Sequence, residues 1–258
     1  MTIPFYKYQG AGNDFIILDG IAGVQEPPAE IIKKMCSRRF GIGADGLMLL
    51  LPSDKADFRM KYFNSDGLEG SLCGNGGRCI VRFAADQNIV QDECRFMAVD
   101  GEHRATIDEN GVHLKMHSVK LPADIQTGII ETGSPHVVVP VTSVDEVDVP
   151  REGRKLRFAK AYEPSGTNVN FIEEVSVQKI RQRTYERGVE DETRACGTGA
   201  VAGAVFQAER RKLLQGVISV CMPGGKLNVT FARSGRRFVN LWLSGPAEYV
   251  FSGTIRFD

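Results

Sequence analysis

Two short segments of this chain put a thiol in the same chemical setting. They are Cys73-Gly74-Asn75-Gly76-Gly77-Arg78 and Cys196-Gly197-Thr198-Gly199-Ala200. Each stands just before a helical pattern, Cys79 to Gln87 and Val201 to Arg211. Asn75 and Thr198 are residue types suited to capping a helix start. The glycines leave backbone N–H groups unobstructed, and a helix start is electropositive with unpaired donors. Such a site can hold a carboxylate and can lower the pKa of a cysteine placed there. One copy is most simply a buried cysteine beside a glycine turn. Two copies can invert an α-carbon, if their domains face each other across one cleft. One thiolate removes a proton from one face, and the other thiol donates a proton to the opposite face. Both helix starts then stabilise the enolate-like carboxylate.

The elements that would position these cysteines repeat. A shift of 123 residues carries Tyr62 onto Tyr185, Glu69 onto Glu192, Cys73 onto Cys196, Gly74 onto Gly197, Gly76 onto Gly199 and Phe83 onto Phe206. It also carries Gly43 onto Gly166 and Asp45 onto Asn168. Upstream, Gly12-Asn13-Asp14-Phe15-Ile16-Ile17 resembles Gly133-Ser134-Pro135-His136-Val137-Val138. Three collinear matches predict two similar domains, 1–119 and 120–245, joined near residues 118 to 125. A C-terminal strand from about 246–258 is expected to complete the first.

Runs rich in β-branched and aromatic residues predict strands at 15–18, 47–51, 58–63, 137–141, 170–174, 182–185, 217–222, 227–231 and 238–243. Helical patterns fall at 29–37, 76–87, 144–147, 175–180 and 199–211. Strands exceed helices and often follow one another directly. The expected class is α+β, with largely antiparallel sheets.

Composition narrows the function classes. Lys plus Arg equals Asp plus Glu, so no overall field attracts nucleic acid or anionic membrane. No apolar run approaches the roughly 20 residues that cross a bilayer. The first residues, Met1 to Lys7, lack a basic region followed by an apolar core, so a cytoplasmic protein with six reduced thiols is expected. Cys73 and Cys79 lack the nearby His or second Cys pair of a zinc site, and no metal is expected. Gly41-Ile42-Gly43-Ala44-Asp45-Gly46 matches the dinucleotide fingerprint by letter. The run after it reads as a strand, so it is taken as a turn. His103, His113 and His117 are expected at the surface. Cys36, Cys79, Cys94 and Cys221 are read as small buried hydrophobes, and Trp242 as core.

Further segments complete a pattern. Asn64-Ser65-Asp66-Gly67 with Cys73 to Arg78 is similar to the first signature of diaminopimelate epimerases. Tyr185-Glu186-Arg187-Gly188 with Glu192 to Gly199 resembles the second. Gly12 to Phe15, Arg39 to Asp45, Pro135-His136 and Asn168-Val169-Asn170-Phe171 follow in family order. Ser134 stands where many members have Asn, and Gly46 where some carry Gln. The resemblance implies two pseudo-symmetric domains, each a curled sheet around a central helix. It implies interconversion of LL- and meso-diaminopimelate, towards lysine and cell wall, without pyridoxal phosphate or metal. Cys73 and Cys196 would be the acid/base pair. Gly74, Asn75, Gly197 and Thr198 would hold the reacting carboxylate. Asn13, Asn64, Asn168, Glu186 and Arg187 would hold the amino groups and distal end. His136 and Glu186 would tune the thiols. The expected partner is a small diamino-dicarboxylate, with no nucleic acid or membrane, and a homodimer is allowed for.

Other readings stay open. A proline racemase-like enzyme shares the fold, with a His-bearing first cysteine motif expected where this chain has Asn75. A Cys-His hydrolase using His136 leaves the second cysteine turn unexplained. A non-catalytic amino-acid-binding protein would tolerate loss of both cysteines.

Overall fold

The computed structural model describes residues 2–70, 73–126 and 128–257. The chain divides into two compact units. One is Met1–Leu114 with Gly245–Asp258, and the other is Lys115–Ser244.

The first unit opens with β1 (Thr2–Gly10), β2 (Asn13–Asp19), α1 (Ala29–Cys36), β3 (Gly46–Leu51) and β4 (Phe58–Asn64). It continues with α2 (Gly74–Asp86), β5 (Glu93–Ala98), β6 (Gly101–Asp108) and β7 (Gly111–Lys115). Pairing is antiparallel for β1–β2, parallel for β2–β3, antiparallel for β3–β4 and parallel for β4–β5. Two antiparallel steps, β5–β6 and β6–β7, follow. β2 and β3 are apolar on both faces because both are covered. α1 covers one face, with Ile32, Met35 and Cys36 packed against Ile16, Leu18, Leu47 and Leu49. α2 packs against β1, β2, β3 and β6 on the other side, so the sheet curls around it.

The second unit contains β8 (Val119–Lys120), β9 (Ile130–Glu131), β10 (Pro135–Pro140), α3 (Val149–Arg157), β11 (Asn168–Ser176) and β12 (Lys179–Glu186). β13 (Asp191–Thr193), α4 (Gly197–Arg210), β14 (Gln215–Met222), β15 (Gly225–Ser234) and β16 (Arg237–Gly245) follow. From β9–β10 through β10–β11, β11–β12 and β12–β14 the sense runs antiparallel, parallel, antiparallel, parallel. The antiparallel steps β14–β15 and β15–β16 close it. This is the pairing order of the first unit. α3 covers one face, where Val149 meets Val137, Val169, Phe171 and Tyr185. α4 is the central helix, buried from Gly199 to Ala208. Gly43 and Gly166, related by the 123-residue shift, both adopt left-handed backbone, with φ of 81° and 62°. Finally β17 (Glu248–Arg256) rejoins the first unit by pairing antiparallel with β1.

Several expectations are corrected. Residues 175–180 form the end of β11, the Val177-Gln178 turn and the start of β12 rather than a helix, with β-branched Val175 and Ile180 on the two strands. Residues 144–147 are an irregular turn, and the helix starts at Val149. Asp148 caps α3 by accepting from Arg151 N, and Pro150 sits in its first turn, which is the usual chemistry of a helix start. His103 is buried rather than exposed: it stacks on Phe96 and bonds Asp100. Trp242 and Cys221 are half-buried. The Gly41–Gly46 segment is a turn leading into β3. A side chain at Gly46 would meet Phe63 O and the Tyr62 ring, so a glutamine has no room there.

Candidate active site

Both helices start two residues earlier than their sequence patterns suggest. The N-cap of α2 is Cys73 and that of α4 is Cys196, not Asn75 and Thr198. The first helical bonds run from Gly77 N to Cys73 O at 2.7 Å and from Ala200 N to Cys196 O at 2.9 Å. The sulfur therefore stands where a capping oxygen would, beside the unpaired N–H groups of the first turn. In α4 the bond is formed: Gly199 N donates to Cys196 Sγ at 3.4 Å. Donors aimed at sulfur stabilise the thiolate over the thiol.

In the first unit, Cys73, Asn75 and Asn13 form one group. Cys73 Sγ lies 3.5 Å from Asn13 Oδ1, which also accepts from Asn75 Nδ2 at 3.2 Å. Asn13 Nδ2 donates to Asp45. Asp45 and Asp14 share the Arg38 guanidinium, and Asp14 also pairs with buried Lys7 at 2.7 Å. Burial alone would raise the Asp14 carboxyl, but the bonds from Arg38 and Lys7 hold it at about 2. This ionic cluster fixes the turn carrying Asn13. Gly74 is buried in the first turn of α2, and Asn64 is exposed at the end of β4.

In the second unit, a polar chain runs inward from Cys196. Its sulfur is 3.5 Å from Thr198 Oγ1, and that hydroxyl is 3.0 Å from His136 Nε2. Ser134 Oγ lies 2.9 Å from the same nitrogen and 3.4 Å from Asn168 Nδ2. On the far side of the ring, Asn170 Nδ2 lies 3.1 Å from His136 Nδ1 and 3.0 Å from Val137 O. Asn170 Oδ1 accepts from Thr184 and Gln182. The amide nitrogen is thus a donor, Nδ1 an acceptor, and the ring proton belongs on Nε2. His136 is wholly buried. Burial pushes its pKa down to about 3, against the Asn170 bond and with the Arg187 charge. It is a neutral imidazole whose N–H faces Thr198 and Ser134.

Asn168 opens β11, where its Oδ1 accepts from Arg187 N at 2.8 Å. Arg187 reaches Ser165 O at 3.4 Å, and Glu186 accepts from Thr193 at 2.9 Å. Sequence reading passed over Asn170, Gln182 and Thr184 as participants. Their signal was present: polar residues on alternate positions of apolar strands share a face, and Asn170 opposes Thr184 in register. It also gave no role to Lys7, Arg38 and Asp45. Among the described residues no group of three or more His, Cys, Asp or Glu is placed to hold a metal. No helix there is long and apolar enough to cross a membrane.

Known proteins resemble this chain in sequence and in fold. The diaminopimelate epimerase family profile matches residues 5–121 and 128–250. A diaminopimelate epimerase of Flavobacterium psychrophilum is 45% identical over 98% of this chain and 100% of its own. That of Chlorobaculum tepidum is 42% identical over 95% and 98%. Among solved structures, a phenazine biosynthesis protein of the PhzF family from Bacillus anthracis superposes with a TM-score of 0.76 at 17% identity, covering both chains fully. A probable proline racemase from Agrobacterium radiobacter gives 0.69 at 17% identity, over 99% of this chain and 93% of that one. At those identities the likeness is one of fold. The sequence matches run nearly the length of the chain and span the segments that carry both capping cysteines, and on that ground the chain belongs to the diaminopimelate epimerase family.

Proposed function

We propose that this protein interconverts LL- and meso-diaminopimelate in the cytoplasm, on the route to lysine and cell-wall precursors. The observation that carries the reading is the pair of cysteines that cap equivalent central helices in two units of the same topology. One thiolate takes the α-proton, and the electron pair moves into the carboxylate. The other thiol gives its proton to the opposite face, and the two sulfurs exchange protonation states. The first-turn groups Gly74, Asn75, Gly197 and Thr198 are suited to the carboxylate oxygens, where negative charge grows. Asn13, Asn64, Asn168, Glu186 and Arg187 are assigned to the amines and the distal carboxylate. His136 acts on Cys196 through Thr198, and its neutrality lets it donate without adding charge. No step in this scheme calls on pyridoxal phosphate.

Incubation with LL-diaminopimelate in heavy water tests the reading. Early product should carry solvent deuterium at the inverted carbon while recovered substrate carries little, because each thiol holds one proton. Equal labelling of both from the start would replace the two thiols with a single base. Absence of inversion would end the proposal, and comparable turnover of proline would favour the racemase reading. For the assembly we propose a homodimer through β17. That strand pairs with β1, yet Tyr249, Val250 and Phe251 on it are exposed. Exposed apolar side chains on an edge strand are ordinarily covered.

A further inference from the structure

Asn170 lies wholly buried on β11, and its neighbours leave the amide one orientation. One end stands 3.0 Å from Val137 O, a carbonyl that can only accept, so that end is the nitrogen. The oxygen at the other end accepts from Thr184 Oγ1 at 3.0 Å and Gln182 Nε2 at 3.2 Å. The same nitrogen meets His136 Nδ1 at 3.1 Å, so Nδ1 accepts and the neutral ring keeps its proton on Nε2. Two hydroxyls face that proton, Ser134 Oγ at 2.9 Å and Thr198 Oγ1 at 3.0 Å, and they lie 3.2 Å apart. A donating Nε2 can take a proton from neither. Asn168 Nδ2 also donates, because Pro135 O fixes it, and it lies 3.4 Å from Ser134 Oγ. Among the described residues, Ser134 is left with Thr198 Oγ1 as its acceptor, and Thr198 with Cys196 Sγ at 3.5 Å. The opposite tautomer would draw both hydroxyl protons onto Nε2 and leave the sulfur without one.

Resting on the two-thiol reading, we infer that Asn170 is a positioning residue for Cys196: by fixing the His136 tautomer it sets the direction of a hydrogen-bond chain that runs through the ring and the Ser134 and Thr198 hydroxyls to the sulfur. Cys196 then receives two donors, Thr198 O–H and Gly199 N–H, and both favour its thiolate. The chain does this without a cation. Burial, with the Arg187 charge, keeps a second proton off the ring. Charged groups on the strands packed against α4 are engaged elsewhere: Glu173 with Arg181, Glu174 with Arg211, Arg183 with Glu192 and Arg233 with Glu209. Glu186 accepts from Thr193, Tyr185 donates to Glu190, Cys221 is half-buried, and Lys179, Lys226 and Arg194 are exposed.

Two measurements test the two ends of the chain. The first is NMR of the full-length protein carrying nitrogen-labelled histidine, with the His136 signals identified by their loss in His136→Gln. The wild type should show a proton on Nε2 and a bare Nδ1. Asn170→Asp puts an acceptor where the amide donated, and Nδ1 should then gain a proton. A proton on Nδ1 in the wild type, or a bare Nδ1 in folded Asn170→Asp, would overturn the inference. The second is site-resolved alkylation by iodoacetamide across pH, read by mass spectrometry. Thr198→Val should raise the Cys196 midpoint by about one pH unit, a tenfold loss of thiolate at low pH, and leave Cys73 in place. Thr198→Ser, which keeps a hydroxyl, should hold the wild-type midpoint. An unmoved Cys196 midpoint in Thr198→Val refutes delivery to the sulfur. If Asn170→Asp fails to fold, the wild-type tautomer and the Thr198 pair decide. Neither readout needs turnover. A chain that fails to epimerise diaminopimelate yet gives these results loses the proposed function and keeps the inference, and an active enzyme with the proton on Nδ1 does the reverse.

Discussion

His136 makes stability depend on pH in a way that can be isolated. The buried ring has a pKa of about 3, against an ordinary 6.5 in the unfolded chain. As pH falls from 6.5, the unfolded state takes up a proton that the folded state refuses. The contribution is complete above pH 6.5, erodes towards pH 3, and changes no further once both states are protonated. The slope is about 1.4 kcal/mol per pH unit at full occupancy. Between pH 6.5 and 5 the cost is therefore about 2 kcal/mol. Asp14, held at about 2 against 3.8 unfolded, acts only below pH 4 and leaves this window clear. The assay is urea unfolding followed by fluorescence of Trp242, the chain's single tryptophan, which lies in the same unit as His136. For a urea slope of about 2 kcal/mol/M, the midpoint should fall by about 1 M across the window. His136→Gln cannot titrate and should lose about 2 kcal/mol less over the same interval, whatever its baseline stability. His103, His113 and His117 are common to both proteins and cancel. Parallel pH dependences would refute the claim that His136 is buried neutral.

Gly199→Ala should cut turnover by about 10²-fold, because its Cβ would come within 2.5 Å of Asn170 Oδ1 and 3.2 Å of Cys196 Sγ, shifting the ring support and the thiol together; steady-state kinetics with an unchanged melting profile would check this. Burial pushes Cys36, Cys79 and Cys94 each up to about 12, so brief alkylation of the native protein at neutral pH should spare them and mark Cys73 and Cys196; rapid modification of Cys79 would contradict the packing of α2. Arg187→Lys should lose most diaminopimelate turnover without unfolding, and the wild type should disfavour proline by about 10⁴-fold, since unused distal donors are costly to leave unpaired. Comparable efficiencies on the two substrates, measured on one preparation, would remove the distal role. Tyr249→Lys with Phe251→Lys should yield monomers in sedimentation if β17 is the dimer edge.

What could be read from the residues was periodic or spaced. The 123-residue shift located both cysteine turns because glycine, cysteine and aromatic positions are fixed by backbone demands that recur in each unit. Gly43 and Gly166 must both take left-handed backbone, and in the first a Cβ would fall 2.9 Å from Arg38 Cα. β2 and β3 announced themselves as continuous apolar runs. β1 and β6 did not, whereas β17 falls within the C-terminal strand expected from about 246–258. The burial of β1 and β6 alternates, and polar residues such as Gln9 and Glu102 interrupt any strand signal. His103 looked like a surface residue for the same reason: alternation identifies a strand but not which of its two faces is inward. The helix starts were misjudged by two residues because cysteine is a poor indicator of an N-cap, while Asn75 and Thr198 are good ones.

The repeat preserves backbone and lets buried polar chemistry diverge, and that division bears on the reaction. At equivalent positions of the central helices stand Arg78 and Val201, and Asn75 and Thr198. One thiol donates to the side-chain oxygen of Asn13, which Asn75 also bonds, and the other accepts from a peptide N–H beside a hydroxyl and a neutral imidazole. A racemase acting on a substrate whose two mirror forms are alike in energy gains nothing from unequal thiols. Diaminopimelate is not such a substrate, because its second stereocentre makes the LL and meso forms distinct molecules. The distal end must be gripped in one orientation, so each thiol always meets the same face of the α-carbon. In the proposed two-thiol scheme, unequal surroundings of the two sulfurs set which protonation state the free enzyme favours, and so which isomer finds it ready. Removing the hydroxyl beside Cys196 alone, with Thr198→Val, should change the relative kcat/KM for the two directions as a function of pH, while the overall equilibrium between the isomers stays where it was.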